Sequence, residues 1–163
     1  MCTGSGCLAI IMAHVFPSAR VTAIDLSVDA LEIATENVAD YRLEDQIELV
    51  ESDLFDAIPN QRFDLIISNP PYVTADAMAA LPEEYRHEPS MALGAGEDGL
   101  DVVRRLIAQA PVHLTPGGVL AVEVGHNRHY VEAAFPDLEL TWLSTRDGDD
   151  RIFLVTREQL VGS

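Results

Sequence analysis

Apolar positions along this chain fall into two periods that take turns. After a Gly-rich start, Leu8 to Val15 is an apolar run compatible with a helix. Arg20-Val21-Thr22-Ala23-Ile24-Asp25 predicts a strand. Ser27 can cap a helix from Val28 to Val38, with Ala30, Leu31, Ile33, Ala34 and Val38 at near-helical spacing. Ile47 to Glu51 is a short strand, and Phe63 to Ser68 predicts a buried one. Gly99 to Ala110 predicts a helix, Pro116-Gly117-Gly118 a turn, and Val119 to Val124 a strand. A short helix is expected over Asn127 to Ala134. The last strands are expected at Leu138 to Leu143 and Arg151 to Val155, joined by the acidic turn Asp147-Gly148-Asp149-Asp150.

Strands alternating with helices imply an α/β domain with a mainly parallel sheet covered on both faces. The final pair of strands is linked too briefly for a crossover and should be antiparallel. The longest irregular stretch, Val73 to Glu97, has the length of a substrate lid or of a plain surface loop. The chain of 163 residues shows no repeat, linker or low-complexity tract, so residues 1–163 are expected to form one domain.

Composition narrows the function classes. The chain is 48% hydrophobic, ample for a core, and has no apolar stretch of membrane-spanning length and no visible signal peptide. Two cysteines, Cys2 and Cys7, make no disulfide framework, and no Cys or His cluster completes a metal site. Reduced thiols suit a cytoplasmic location. The net charge is -17, and there is no lysine. Such charge repels nucleic acid and attracts cationic partners. An acidic proteome-wide composition in the source is an alternative cause, compatible with the first.

Candidate chemistry sits at successive strand ends. Thr3-Gly4-Ser5-Gly6-Cys7 opens a helix, and its small residues let backbone N–H groups approach a ligand. Asp25 ends the next strand ~20 residues on, where a carboxylate can accept both ribose hydroxyl protons; alone it could equally be a turn or capping aspartate. Asp53 can accept from an exocyclic purine amine, with Leu54 and Phe55 packed on the ring; alone it too suits a turn. Then comes Asn69-Pro70-Pro71-Tyr72. Neither proline has an N–H, and both fix φ. The Asn69 carboxamide and the Pro70 carbonyl can serve as paired acceptors for a planar NH2 group, with the Tyr72 ring against its plane. In an open α/β sheet such strand ends share one crevice. A nicotinamide dinucleotide would explain the first two elements only. S-adenosylmethionine fits all four, and it needs no basic residue for a phosphate.

These residues resemble the N(5)-glutamine methyltransferases, which methylate protein glutamine side chains from S-adenosylmethionine. The resemblance runs from Cys2 to Arg157. It is carried by Cys2-Thr3-Gly4-Ser5-Gly6, Ser52-Asp53-Leu54-Phe55, Ser68-Asn69-Pro70-Pro71-Tyr72-Val73, His87-Glu88-Pro89, Ala92-Leu93 with Gly96-Glu97-Asp98-Gly99-Leu100, and Glu123-Val124-Gly125. Cys2 and the segment Leu81 to Pro89 look more like the branch acting on the third large-subunit ribosomal protein than the release-factor branch. The resemblance implies a Rossmann-like methyltransferase sheet with an antiparallel C-terminal hairpin. It implies that Cys2, Thr3, Gly4, Ser5, Gly6, Asp25, Asp53, Leu54 and Asn69 hold the cofactor. Asn69, Pro70, Pro71, Tyr72, His87 and Glu88 would meet the substrate, with Asn69, Pro70 and Tyr72 catalytic. A basic ribosomal protein is the implied partner, with no membrane or direct nucleic-acid partner.

The family also carries an N-terminal helical domain and a strand just before the cysteine. Both are missing here, so the sequence is expected to be a fragment with the first strand absent. Strands lie ~4.8 Å apart, and the loss would open a gap of that width unless neighbours close it. Three alternatives stand beside the main reading: a release-factor enzyme, a nucleic-acid amino-methyltransferase, and an inactive remnant. Among other residues, His87-Glu88-Pro89 could be a lid contact or a turn, His14 a core or edge histidine, and Glu123 a cleft or buried acid. His113, His126 and His129 have no ligand-like spacing.

Overall fold

The computed structural model describes residues 1–72, 98–145 and 148–162, and the chain divides into two compact units, Met1–Gln61 and Arg62–Ser163. The expected lid, Val73 to Glu97, lies outside the described residues, as does Asp147; the other residues of the expected acidic turn, Gly148, Asp149 and Asp150, are not a turn but belong to the last strand, where Gly148 and Asp149 pair with Thr145 and Ser144.

In the first unit, helix α1 (Cys7–Val15) leads to strand β1 (Val21–Asp25), helix α2 (Val28–Asp40) and strand β2 (Ile47–Glu51). β1 and β2 pair in parallel, with Val21 opposite Ile47 and Asp25 opposite Glu51. Ser27 caps α2 as expected, its Oγ accepting from the Ala30 N–H at 3.2 Å. Ala9, Ile10 and Ala13 from α1 pack with Ala23, Val38 and Ile47. Of the apolar residues assigned to the α2 stripe, Ala34 and Val38 are buried, whereas Ile33 faces solvent. The loop between α1 and β1 is tied by one side chain: Gln46 Nε2 donates to the carbonyls of Ala13, Phe16 and Ala19.

The second unit holds β3 (Phe63–Ser68), α3 (Asp101–His113), β4 (Leu114–Glu123), α4 (Arg128–Ala134), β5 (Thr141–Thr145), β6 (Gly148–Thr156) and α5 (Arg157–Gly162). Its sheet has the order β3-β4-β6-β5. β3 and β4 are parallel; β6 runs antiparallel to both β4 and β5, so the closing hairpin is as expected. β3 is not buried throughout: Asp64 and Leu65 are exposed, because β3 stands at the edge of this sheet. β4 is the central strand, and Leu120, Ala121 and Val122 are buried in succession.

Three expectations need correction. Pro116-Gly117-Gly118 is no free turn but a bulge inside β4. The register jumps from Phe63 opposite Leu114 to Leu65 opposite Val119. Gly117 has φ 76°, and a Cβ on Gly118 would lie 2.9 Å from the Thr115 carbonyl oxygen. The helix expected to stop at Ala110 continues through Pro111 to His113. Pro111 removes one N–H from the helix ladder, while its carbonyl, one of the unpaired acceptors of the last turn, accepts from Arg157 Nε at 3.0 Å. The fifth strand starts at Thr141 rather than Leu138; Leu138 N–H is bonded in a turn to Phe135.

Among the described residues no helix is long and apolar enough to cross a membrane.

Candidate functional site

The glycine turn of the first unit is built onto the end of β1. Thr3 N–H donates to the Ile24 carbonyl at 2.9 Å, and Gly4 N–H donates to Asp25 Oδ2 at 2.8 Å. The other carboxylate oxygen, Oδ1, accepts from the Ser27 N–H at 3.0 Å. Asp25 thus organises both the glycine turn and the entry to α2. Cys2, Gly4 and Gly6 all have positive φ, at 52°, 54° and 81°. The left-handed region is open to glycine but costs an ordinary residue such as Cys2 ~1–2 kcal/mol. A Cβ on Gly4 would meet nothing within 4 Å, so that face of the turn is open. A Cβ on Gly6 would lie 3.1 Å from the Ala34 Cβ of α2, so only glycine fits without movement.

α2 supplies a second tie. Asn37 Nδ2 donates to the Ser5 carbonyl at 2.8 Å. Ala34 and Asn37 are three apart on one helix face, and together they hold both sides of the turn. The sequence reading missed Asn37; its signal was a polar residue on the same face as buried Ala34 and Val38. α1 begins at Gly6 with no side-chain cap, which leaves first-turn N–H groups available to an anionic ligand.

The Ser52-Asp53-Leu54-Phe55 turn follows β2. Ser52 N–H donates to the Asp25 carbonyl, and Ser52 Oγ accepts from the Ala57 N–H at 2.9 Å. Leu54 has φ 53°, and Leu54 and Phe55 are both buried. Asp53 is half-buried at the start of this turn.

In the second unit the Asn-Pro-Pro-Tyr motif leaves β3. Asn69 is exposed, Pro70 is fully buried, and Pro71 and Tyr72 are half-buried. Tyr72 is gripped at both ends. Its carbonyl accepts from Asn127 Nδ2 at 2.8 Å. A Cβ on Gly99 would lie 2.5 Å from that same carbonyl oxygen and 2.9 Å from Asn127 Nδ2. The ring lies against Gly125, where a Cβ would stand 2.7 Å from Cε2 and 3.0 Å from Cζ. Gly99 and Gly125 have φ 74° and 57°. The motif pieces Asp98-Gly99-Leu100 and Glu123-Val124-Gly125 therefore meet at Tyr72, and Asn127 joins them without having been anticipated. Glu123 is half-buried at the end of β4.

Asp98 anchors the Gly99 corner. It accepts from the Leu100 N–H at 3.1 Å and pairs with Arg104. The Arg104 guanidinium holds the Asp98 carboxyl below the ordinary aspartate pKa, helped by the Leu100 N–H.

His87 and Glu88 lie outside the described residues. His14 is an exposed edge histidine, with Nδ1 2.8 Å from the Ile10 carbonyl oxygen. Among the described residues no group of three or more His, Cys, Asp or Glu is placed to hold a metal ion.

The family described as methyltransferase small domain matches residues 1–84. The ribosomal protein uL3 glutamine methyltransferase of Neisseria gonorrhoeae is 56% identical over 162 residues, covering 99% of this chain and 54% of that protein. The protein of the same name from Bordetella pertussis is 56% identical over 160 residues, covering 98% of this chain and 54% of its own length. The chain thus spans about half the length of the curated relatives it matches. A methyltransferase crystal structure from Pyrococcus furiosus superposes with a TM-score of 0.68 at 18% identity, covering 95% of this chain and 71% of that one. The fold is therefore that of Rossmann-like methyltransferases, with the C-terminal hairpin described above.

Proposed function

This chain belongs to the methyltransferase small domain family, and we propose that it transfers a methyl group from S-adenosylmethionine to a glutamine side-chain amide of a ribosomal protein. The observation that carries the reading is the Asn69 side chain, exposed at the end of β3 and followed by two prolines and a ring fixed from behind. The relatives named for glutamine methylation of uL3 support it across nearly the whole chain. A basic ribosomal substrate agrees with the charge of -17, and it would place the reaction in the cytoplasm.

The residues of the first unit fit the donor. The open face at Gly4 leaves room beside the turn. Each Asp25 oxygen accepts one N–H and keeps a lone pair for a ribose hydroxyl. The uncapped N–H groups of α1 suit the carboxylate of the donor's amino-acid part. Asp53 would accept from the adenine amine. When bound, the donor supplies an electrophilic methyl group on a sulfonium.

A first strand ahead of Cys2 belongs to the same proposal. Val21 N–H and the Asp25 carbonyl point to the β2 side, so alternation turns the Ile24 carbonyl to the other edge. Thr3 N–H meets it there, and residues just ahead of Thr3 would extend a ladder along that edge.

An amide nitrogen is a poor nucleophile because its lone pair is delocalised into the carbonyl. The Asn69 oxygen and the Pro70 carbonyl would accept its two N–H groups, and the Tyr72 ring would fix the amide plane. As positive charge grows on nitrogen, these acceptors bind more strongly than in the ground state, which lowers the barrier. Alignment of this kind can supply up to ~7–11 kcal/mol in well-oriented cases. The motif holds no carboxylate, and the proton leaves to water after transfer.

Labelled-methyl transfer to purified uL3, a release factor and RNA is the direct test. Label on uL3 alone supports the reading; label on the release factor or RNA alone replaces the substrate; none at all removes the activity. Asn69→Ala should lower turnover by ~100-fold or more, as loss of a transition-state acceptor does, with donor affinity by calorimetry reduced far less.

A further inference from the structure

We propose that Gly99, Gly125 and Asn127 are positioning residues that lock Tyr72 in place before substrate arrives, a role that rests on the glutamine-methylation reading for its consequence in turnover. Asn127 carries the clearest signature. It sits at the N-cap of α4, where an asparagine ordinarily turns its side-chain oxygen to the first N–H groups of its helix. Here it makes no side-chain cap, and its Nδ2 reaches 55 residues back along the chain to the Tyr72 carbonyl. A stabilising local contact is given up for a remote one.

The glycines have a matching logic. Both stand at positive φ, and both would strike Tyr72 if they carried a Cβ, Gly99 at the carbonyl and Gly125 at the ring. One holds the backbone and the other the side chain. Pro70 and Pro71 fix their own φ, and each restricts the residue before it. With the Tyr72 carbonyl held by Asn127 and the ring seated on Gly125, few soft torsions remain between Asn69 and Tyr72. The acceptors and the ring are then preorganised, and substrate binding has little left to order. Loosening the lock should harm alignment more than binding.

The discriminating variant is Asn127→Asp in the full chain. Aspartate caps a helix as well as asparagine and favours its N-terminus. It cannot donate to the Tyr72 carbonyl. The melting temperature should therefore hold or rise while kcat falls about tenfold, the size of one lost hydrogen bond, with the KM for protein substrate and the donor affinity changed less than about twofold. With 3-fluorotyrosine in place of tyrosine, the Tyr72 fluorine resonance, assigned by Tyr72→Phe, should shift or broaden in Asn127→Asp and in Gly125→Ala. The Tyr41 resonance should stay put. An unmoved Tyr72 resonance in Asn127→Asp, or a kcat loss that only follows a falling melting temperature, overturns the lock. Should the parent protein transfer no methyl group, the functional reading fails, and the fluorine spectrum still decides whether the lock exists. If Gly125→Ala does not fold, Asn127→Asp alone decides.

Discussion

The glycine turn of the first unit and the Asn-Pro-Pro-Tyr motif of the second are held in opposite ways. The glycine turn of the first unit is held by polar side chains reaching its backbone, Asp25 at Gly4 and Asn37 at Ser5, with one close contact at Gly6. The Asn-Pro-Pro-Tyr motif of the second unit is held mostly by missing side chains. Gly99 and Gly125 let a carbonyl and a ring come closer than any Cβ allows, and one amide from Asn127 completes the grip. A turn pinned by hydrogen bonds tolerates small shifts of its neighbours. A ring seated on the bare Cα of Gly125 does not, because van der Waals repulsion rises steeply. On the proposed reading, the first arrangement suits a turn that admits and releases a large donor, and the second suits a motif that holds a weak nucleophile in line.

The largest effect in this comparison should come from Asp25→Ala. It removes the acceptor from two backbone N–H groups and, on the proposed reading, from two ribose hydroxyls. Hydrogen bonds to a charged group contribute ~1.5–3 kcal/mol each, so donor affinity should fall by ~100-fold or more and the melting temperature should drop. Asp25→Asn keeps one acceptor and should lose less of both. Calorimetry with S-adenosylmethionine checks this, and an unchanged dissociation constant would remove Asp25 from the donor site.

A smaller effect is expected from Gly6→Ala. The new Cβ meets Ala34 at 3.1 Å, and φ 81° adds left-handed strain of ~1–2 kcal/mol. Ala34→Gly on top of it would relieve the contact and leave the strain. The double variant should therefore recover part of the melting temperature beyond what helix propensity takes away, which is ~1 kcal/mol for a glycine inside α2. Additive losses would mean that the approach of α2 to the turn does not limit the fit.

The same contrast explains what the sequence could tell. Thr3 to Gly6, Asp25, Asp53 and Asn69 to Tyr72 were legible because each follows a strand or opens a helix at a spacing that periodicity defines. Asn37 was half legible, as a polar residue on a buried helix face. The last helix was legible and missed: Thr156 and Gln159 form a capping box, with Gln159 Oε1 accepting from the Thr156 N–H at 2.8 Å. The bulge at Pro116-Gly117-Gly118 was misread because Gly and Pro announce a turn without saying whether the strand resumes in register. Gly99, Gly125 and Asn127 could be quoted as motif pieces or loop residues but not given a task. What a glycine makes room for is another part of the chain, and no local pattern names it.

The smallest expected effect concerns pH. The Asp98–Arg104 pair anchors the corner that carries Gly99, and Arg104 holds the Asp98 pKa below its ordinary value. A carboxyl whose folded pKa is depressed contributes stability that is fully present above the unfolded value, ~3.9. That contribution is lost as the pH falls through the folded value. The side chains are 29% and 43% exposed, so solvent screens the pair, and a contribution of ~0.2–1 kcal/mol is the scale for exposed pairs. Asp98→Asn should therefore melt slightly below the parent at neutral pH, with the gap closing below about pH 4 and narrowing in high salt. No gap at neutral pH would assign the role of Asp98 to its bond with the Leu100 N–H, which the asparagine oxygen can also accept, and a gap that persists at pH 2 or is indifferent to salt would overturn the ion-pair account. Turnover separates the two further: if the ion pair steadies Gly99 against the Tyr72 carbonyl, kcat should follow the same acidic limb as the melting temperature.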